Sequence, residues 1–250
     1  MFDANGSPAR PAKKPRKRRR GVALGRRPQA KRLGFVAHST RDEHHEDHPV
    51  HVSMRRVPRA PSFRTERIFR TILGQLARLK RRGVRVVHYS VQDDHLHLIV
   101  EGSDRHDLSS QMRKLFSSIA LAVNAVSLRH GSLFRDRHHR AELDGPTKTR
   151  NALIYVLFND RKHHAQNGGA ITEAFFRELD DRSSVAWLEP RDWDPRARPP
   201  PDVIARLRAR DANIDGLGAA RSDPETWFAQ AGWRIRGGGA LTAYELPSFL

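Results

Sequence analysis

The sequence predicts an α+β fold in which one antiparallel sheet carries helices on one face. Three observations support this class. Segments with the two-residue alternation of strands and the three- to four-residue periodicity of helices follow one another as β-α-β-β-α-β-α between residues 49 and 167. A polar turn, Gln92 to Asp94, joins the two central strands as a hairpin. The 250 residues, 38% of them hydrophobic, suffice for one core with sizeable flanks.

Each element is predicted from a local pattern. Pro58 and Pro61 break the chain after the first strand, Gly83 stops the first helix, Asp107 caps the second helix, and Gly131 ends it. The predicted boundaries, in order, are strand 51–55, helix 62–83, strands 84–91 and 95–101, helix 107–131, strand 134–143 and helix 147–163. This order is of the ferredoxin-like kind.

The flanks differ from the predicted domain in composition. Residues 1–48 are predicted to be a disordered basic arm followed by a polar linker rich in acids and histidines, for which a zinc or nickel site is a less favoured alternative. Residues 168–250 are predicted to be a loosely packed, irregular C-terminal extension. The sequence thus divides into residues 1–48, 49–167 and 168–250.

The charge distribution favours a polyanionic partner. The formal net charge is +18, and residues 50–167 alone hold 22 Lys and Arg against 10 Asp and Glu. Nucleic acid is therefore the expected partner. No apolar run approaches the length of a membrane span, so we expect a cytoplasmic protein without a membrane partner. The absence of cysteine excludes disulfides, thiol nucleophiles and cysteine-ligated metal sites.

His95 and His97 are candidate metal ligands. They flank Leu96 on a predicted strand, so both imidazoles emerge on one face of the sheet. Tyr155 and Asn159 lie four residues apart on the third predicted helix and share one of its faces. If that face covers the histidines, Asn159 completes a His-His-amide triad suited to Mg²⁺ or Mn²⁺. Each feature alone has a purely structural alternative, as a core histidine, a core aromatic or a helix-end residue.

The parts suggest a chemistry. A divalent ion can bind a scissile phosphate while the Tyr155 hydroxyl attacks in line and becomes covalently attached. A second class is a DNA-binding protein that retains the fold but not the reaction. A third is a ferredoxin-like RNA-binding module, against which the 7% aromatic content counts.

The motifs resemble those of a known family. His95-Leu96-His97, within VVHYSVQDDHLHLIVE, is similar to the HUH motif (histidine, bulky hydrophobe, histidine) of single-tyrosine transposases of the insertion-sequence-200 type. YVLFN resembles their tyrosine helix, and GSLFRDRHHRAEL resembles the stretch that precedes it. Among these transposases, the motifs most resemble those of the REP-associated tyrosine transposases, bacterial enzymes that act on palindromic single-stranded DNA. The resemblance covers about residues 50–165.

This resemblance implies an HUH nuclease fold and specific roles. Tyr155 would be the nucleophile of a 5′-phosphotyrosine link, and His95, His97 and Asn159 would bind the metal. The implied partner is single-stranded or hairpin DNA, in a bacterial, nucleoid-associated setting. Whether the chain is a monomer or a homodimer, and whether Tyr155 serves its own histidines, stays open.

Two further groups near these motifs bear on the interpretation. Asp94 precedes the histidine pair where relatives usually have Asn, and Asp160 follows Asn159 where they have Pro. An extra carboxylate at either position either strengthens metal binding or repels DNA.

A basic run beside the site is predicted to contact DNA phosphates. Its members are Arg135, Arg137, His138, His139 and Arg140.

Overall fold

The alternating segments form a four-stranded antiparallel sheet in a computed structural model that describes residues 43–170 and 172–247. The strands are β1 (Val50–Arg55), β2 (Arg85–Val91), β3 (His95–Glu101) and β4 (His139–Glu142). Their order is β2-β3-β1-β4, and every adjacent pair is antiparallel. The predicted α+β class with a ferredoxin-like strand order is confirmed. Most of the predicted basic arm lies outside the described residues.

Two amphipathic helices cover one face of the sheet. They are α1 (Glu66–Lys80) and α2 (Arg105–Val126), and their apolar residues share a core with Val52 of β1 and with Leu96 and Leu98 of β3. We call this side of the sheet the helix face. Since neighbouring residues in a strand point to opposite sides, His95 and His97 point away from these helices. No helix in the described part of the chain is long and apolar enough to cross a membrane.

Some predicted boundaries shift because of side-chain contacts. Asp104, three residues before the predicted cap, caps α2 by accepting hydrogen bonds from the backbone N–H groups of His106 and Asp107. The last strand begins at His139 instead of residue 134. Phe134 packs edge-on against Phe63 and Phe116 and makes only an isolated antiparallel bridge with Arg56, so no continuous strand begins there.

The single predicted helix over residues 147–163 is wrong, because the structure has two helices there. They are α3 (Pro146–Leu157) and α4 (Asn159–Gln166), and Phe158 between them has non-helical dihedral angles, with φ −118° and ψ 25°. The buried Phe158 ring lies 6.2 Å from the ring of Trp193, and the Arg161 guanidinium lies 4.4 Å from its centroid. These tertiary contacts explain the break, which local sequence does not encode.

The C-terminal residues cover the face of the sheet opposite the helix face, together with α3. Their helices are α5 (Glu173–Arg177), α6 (Pro201–Asp211) and α7 (Trp233–Arg236). Their secondary structure is irregular as predicted, but the loose packing is wrong: Trp193 and Trp233 are each 2% exposed in a second core with Ile99 of β3. The Ser184 N–H donates to the Tyr89 carbonyl of β2. The sequence does not predict this packing, because the apolar residues of the C-terminal segment are spread over short elements without a repeating period.

The acidic, histidine-rich segment before β1 is attached to the sheet. The side chain of His44 is fully buried, with Nδ1 3.0 Å from a Glu142 carboxylate oxygen and Nε2 2.9 Å from the Gly102 carbonyl oxygen. His48 lies 3.4 Å from the same carboxylate. This part of the predicted linker is therefore fixed through edge strand β4.

His88 predicts a loss of stability in acid. Burial, reinforced by the charge of Arg221, lowers the pKa of His88 to about 3, so this residue is neutral in the folded protein. The unfolded chain binds a proton below about pH 6.5, and stability is therefore lost as the pH falls from about 6.5 towards 3, by up to about 1.4 kcal/mol per pH unit. Urea unfolding at several pH values should show this slope. His88→Asn keeps a polar group near Ser184 but cannot titrate, so an unchanged slope in that variant would count against the assignment.

Candidate active site

The strand alternation brings His95 and His97 together on the face opposite the helix face. Their ring centroids lie 4.6 Å apart, with the planes nearly perpendicular, and both residues are buried. We call this side of the sheet the histidine face. In β1, which pairs with β3, the same face carries His51 and Ser53, because directly opposed residues point to one side.

Asp94 orients His95. Its carboxylate lies 2.6 Å from His95 Nδ1 and 3.3 Å from a guanidinium nitrogen of Arg55. The hydrogen bond from His95 lowers the pKa of Asp94 to about 2, so the carboxylate is ionised. An ionised acceptor on Nδ1 fixes the proton there and leaves Nε2 as the ligand atom. The geometry agrees with the first of the two roles considered for this carboxylate, support of metal binding.

His51 is a site residue that sequence reasoning missed. Its Nε2 lies 3.1 Å from His97 Nδ1. Burial lowers the pKa of His51 to about 4 and that of His97 well below its usual value, so both rings are neutral and one of them donates the hydrogen bond between them. When His97 donates from Nδ1 to His51, its Nε2 is left as a lone-pair donor. Only the strand register reveals this pairing, since the two histidines lie 46 residues apart.

Tyr155 lies against the histidines of its own chain. Its ring centroid is 5.0 Å from that of His97 and 5.6 Å from that of His51, in edge-on contacts. Lys162 of α4 places its ammonium group 4.7 Å from the Tyr155 ring centroid. Lys162 is a second residue that the sequence analysis did not single out, and the helix break at Phe158 positions it.

Asn159 begins α4 close to the histidine cluster. Its amide nitrogen lies 3.4 Å from His163 Nε2, and the His163 ring lies 5.6 Å from that of His95. The prediction that Tyr155 and Asn159 share one helix is wrong, because Tyr155 lies on α3 and Asn159 lies on α4. Asn159 therefore approaches the cluster from the His163 side, while Tyr155 approaches from the His51 side.

The donor atoms present fit a divalent metal. His97 Nε2 and Asn159 Oδ1 are two of the nine buried side-chain atoms that have no hydrogen-bond partner in the described structure. A buried lone pair without a partner is costly unless a ligand fills the position. Among residues 43–170 and 172–247, no group of three or more His, Cys, Asp or Glu side chains could hold a metal. A site built on His95 and His97 would therefore need a ligand of another type, and the Asn159 amide oxygen is the candidate. Mixed nitrogen and oxygen ligation suits Mn²⁺ and tolerates Mg²⁺.

Asp160 lines a cavity of about 420 Å³ together with His95 and His163. Burial and the nearby charge of Asp180 raise the pKa of Asp160 to about 7. Near neutral pH this carboxyl group therefore carries only part of a negative charge. The unusual residue after Asn159 adds less repulsion towards a phosphate than an ordinary aspartate would.

The structure divides the predicted basic run between two sides of the sheet. His139 pairs with Ser53 and so lies on the histidine face, whereas Arg140 pairs with Val52 and lies on the helix face. Arg137 lines a separate cavity beside α2. The backbone N–H of Arg135 donates to the Arg55 carbonyl oxygen. Of the five residues in the predicted basic run, only His139 is placed by strand pairing on the histidine face.

The fold and site together define a small α+β domain. Its sheet carries a histidine pair on one face, and two helices bring a tyrosine and an asparagine to the same side. No family model matches the chain, and no curated protein matches it. Solved structures are similar to this chain, among them the following two. One is a REP-associated tyrosine transposase bound to a REP hairpin, with 16% identity and a TM-score of 0.42 over 51% of this chain and 74% of that one. The other, from Deinococcus radiodurans R1, is described as a transposase, with 12% identity and a TM-score of 0.34 over 54% of this chain and 98% of that one.

Both neighbours are transposases, the class that the sequence motifs resemble. At these identities and TM-scores the likeness does not assign a reaction to this chain. A reaction for this chain is therefore inferred from the geometry of the histidine face.

The orientation of His95 by Asp94 gives a testable effect on metal binding. Asp94→Asn keeps the shape and an acceptor oxygen but removes the charge, and we expect it to weaken Mn²⁺ binding about 10- to 100-fold. Calorimetric titration with Mn²⁺ measures this. Asp93→Asn is the matched control, because Asp93 pairs with Arg56 at 3.2 Å. Equal affinities of the two variants would contradict the role of Asp94.

Proposed function

We propose that the protein is a metal-dependent single-stranded DNA endonuclease and strand transferase of the transposase type, with Tyr155 as its nucleophile. The observation that carries the proposal is the contact of Tyr155 with His97, whose Nε2 is buried without a hydrogen-bond partner. The Tyr155 ring and a histidine nitrogen without a hydrogen-bond partner thus belong to one cluster on the histidine face, which supports a nucleophile beside a metal site.

The chain offers a single tyrosine in this position. Of its three tyrosines, Tyr89 is 1% exposed in the core of the helix face, and Tyr244 lies against Phe176 in the C-terminal residues. Tyr155 is half-buried, so its hydroxyl can reach a substrate while its ring stays fixed between His51 and His97. A fixed nucleophile is what an in-line attack requires.

The proposed reaction is a transesterification. The Tyr155 hydroxyl loses its proton as its oxygen forms a bond to phosphorus. The bond from phosphorus to the 3′ oxygen of the preceding nucleotide breaks, and that oxygen takes up one proton to leave as a 3′ hydroxyl. A Mg²⁺ or Mn²⁺ ion held by His95, His97 and Asn159 would supply positive charge for the non-bridging phosphate oxygens. Lys162, whose ammonium lies 4.7 Å from the Tyr155 ring centroid, adds a positive charge beside the proposed nucleophile.

The charge of the domain supports DNA as the substrate. Residues 50–167 carry an excess of 12 positive charges, and His139 lies on the histidine face. Such an excess attracts the backbone of a single strand whatever its sequence. The proposed substrate is single-stranded DNA with hairpin structure, as the sequence resemblance implies.

The test is a covalent adduct assay with hairpin oligonucleotides and Mg²⁺ or Mn²⁺. With a 3′ label, we expect label at protein mass on a denaturing gel. With a 5′ label, we expect a shortened free product that ends in a 3′ hydroxyl. Tyr155→Phe should abolish both products, and Tyr244→Phe should abolish neither.

Two outcomes would overturn the proposal. Tight hairpin binding without any adduct, under both metals, would assign the chain to DNA-binding proteins that lack the reaction. An adduct that persists in Tyr155→Phe would assign the reaction to another nucleophile.

A further inference from the structure

A cavity of the described structure lies beside the helix face and outside the proposed active site. Its volume is about 610 Å³, and it is bounded by the first turns of α2, by Met54 of β1 and by the loop before β4. A cavity of this size is in the range of small-ligand sites. Met54 belongs to the core of the helix face, so the cavity and the histidine pair open on opposite sides of the sheet.

The rim of the cavity is cationic. It carries Arg105 and Arg113 from α2 and Arg137 from the loop before β4, together with His106 and His138. None of the lining residues in the described part of the chain is acidic. Arg113 is exposed, and Arg105 pairs at 2.8 Å with Glu43, whose side chain is 82% exposed. The guanidinium groups at the rim attract an anionic ligand.

The floor of the cavity is apolar and aromatic. Met54, Met112 and Phe116 line it, and the His138 ring stacks on Phe116 with a centroid distance of 5.6 Å and an interplanar angle of 30°. Such a floor offers a flat ring and polarisable sulfur atoms to a planar ligand. An ion alone would not need an apolar floor, and an apolar ligand would not need the cationic rim.

We propose that this cavity binds one unpaired nucleotide of single-stranded DNA, with its base against His138 and Phe116 and its phosphates at Arg113 and Arg137. The combination of a stacking ring with cations matches sites for unpaired nucleotides. A base pair cannot place its face on a ring while it is stacked in a duplex, so the site selects single strands. The choice of DNA rests on the proposed function, and the new element is a second contact of the strand away from Tyr155.

The edge strand connects the two sites. β4 lies at the end of the sheet, and its successive residues His139 and Arg140 point to opposite faces. Arg137 lies two residues before His139. A single strand that passes over this edge therefore meets basic side chains on the histidine face, at the edge and at the cavity.

The test measures equilibrium binding in EDTA with the full chain carrying Tyr155→Phe, so that no covalent product forms. The probe is a single-stranded hairpin oligonucleotide with a 2-aminopurine in its unpaired segment. We expect quenching of the 2-aminopurine fluorescence on binding, and loss of most of this quenching in His138→Gln, with affinity about 5- to 10-fold weaker. Phe116→Leu is the second variant that removes an aromatic ring from the cavity, and leucine keeps the core filled.

The rim is tested by the double variant Arg113→Gln and Arg137→Gln. We expect about 10-fold weaker binding and a salt dependence of log affinity that is lower by about 1.4, the value for two phosphate contacts on a single strand. Arg81→Gln with Arg82→Gln is the matched control, because these exposed arginines follow α1 and do not line the cavity.

Equal losses in the rim variant and the control, or a fully paired duplex that binds as tightly as the single strand, would overturn the nucleotide site. Because this assay reads binding without metal, it is separate from the adduct assay. Absence of an adduct together with the expected quenching would overturn cleavage by Tyr155 and support the cavity.

Discussion

Replacement of His97 by glutamine is expected to lower the rate of covalent adduct formation about 100- to 1000-fold and to leave the fold intact. The buried Nε2 of His97 has no hydrogen-bond partner in the described structure, and the proposed reaction assigns it to the metal ion. Loss of one group that stabilises developing charge has an effect of this size. The measurement is the single-turnover rate of label transfer to protein at saturating Mn²⁺.

His51→Gln is the informative comparison for His97→Gln. His51 contacts His97 through one hydrogen bond and acts by fixing the proton position of that ring. We expect a smaller loss, about 10-fold, and partial recovery at higher Mn²⁺ concentration, since a ligand that is poorly oriented is still present. Equal losses in both variants, without recovery, would contradict the separate roles given to the two rings. Thermal unfolding of each variant checks that the fold is retained.

Replacement of Trp233 by alanine is expected to lower the free energy of unfolding by about 3 to 5 kcal/mol. Trp233 is 2% exposed, and it opens α7, which packs against α3. Because α3 carries Tyr155, a cavity at this position loosens the support of the nucleophile as well as the C-terminal residues. Denaturant unfolding measures the stability, and the adduct assay measures the effect on Tyr155.

Trp227→Ala is the control for Trp233→Ala. Trp227 is 44% exposed, so its removal is expected to change the free energy of unfolding by less than about 1 kcal/mol. If both variants lose the same small amount, the C-terminal residues do not contribute to one cooperative fold. The predicted loosely packed extension would then describe the protein better than the second core does.

The local parts of the site could be predicted from the sequence. Strand alternation is a property of the backbone, so His95 and His97 had to share a face once the strand was recognised. The proximity of Tyr155 to this pair followed from the motif resemblance and the element order, and the structure places its ring 5.0 Å from His97. The hairpin turn and the amphipathic helices could likewise be predicted, because each depends on residues a few positions apart.

The rest depended on contacts between distant residues. His51 meets His97 only through the register of β1 against β3, and a shift by one residue would turn it to the other face. The basic run reads as one patch in sequence, yet the alternation and pairing of β4 send His139 and Arg140 to opposite sides.

The sequence by itself determined the order of elements, the excess of positive charge and the local spacing of the histidines. Tertiary structure alone decided the break at Phe158, the burial of the C-terminal tryptophans and the histidine that orients His97. The reason is physical: propensity and periodicity act within a few residues, whereas the free energy of packing depends on which distant side chains fill the same space.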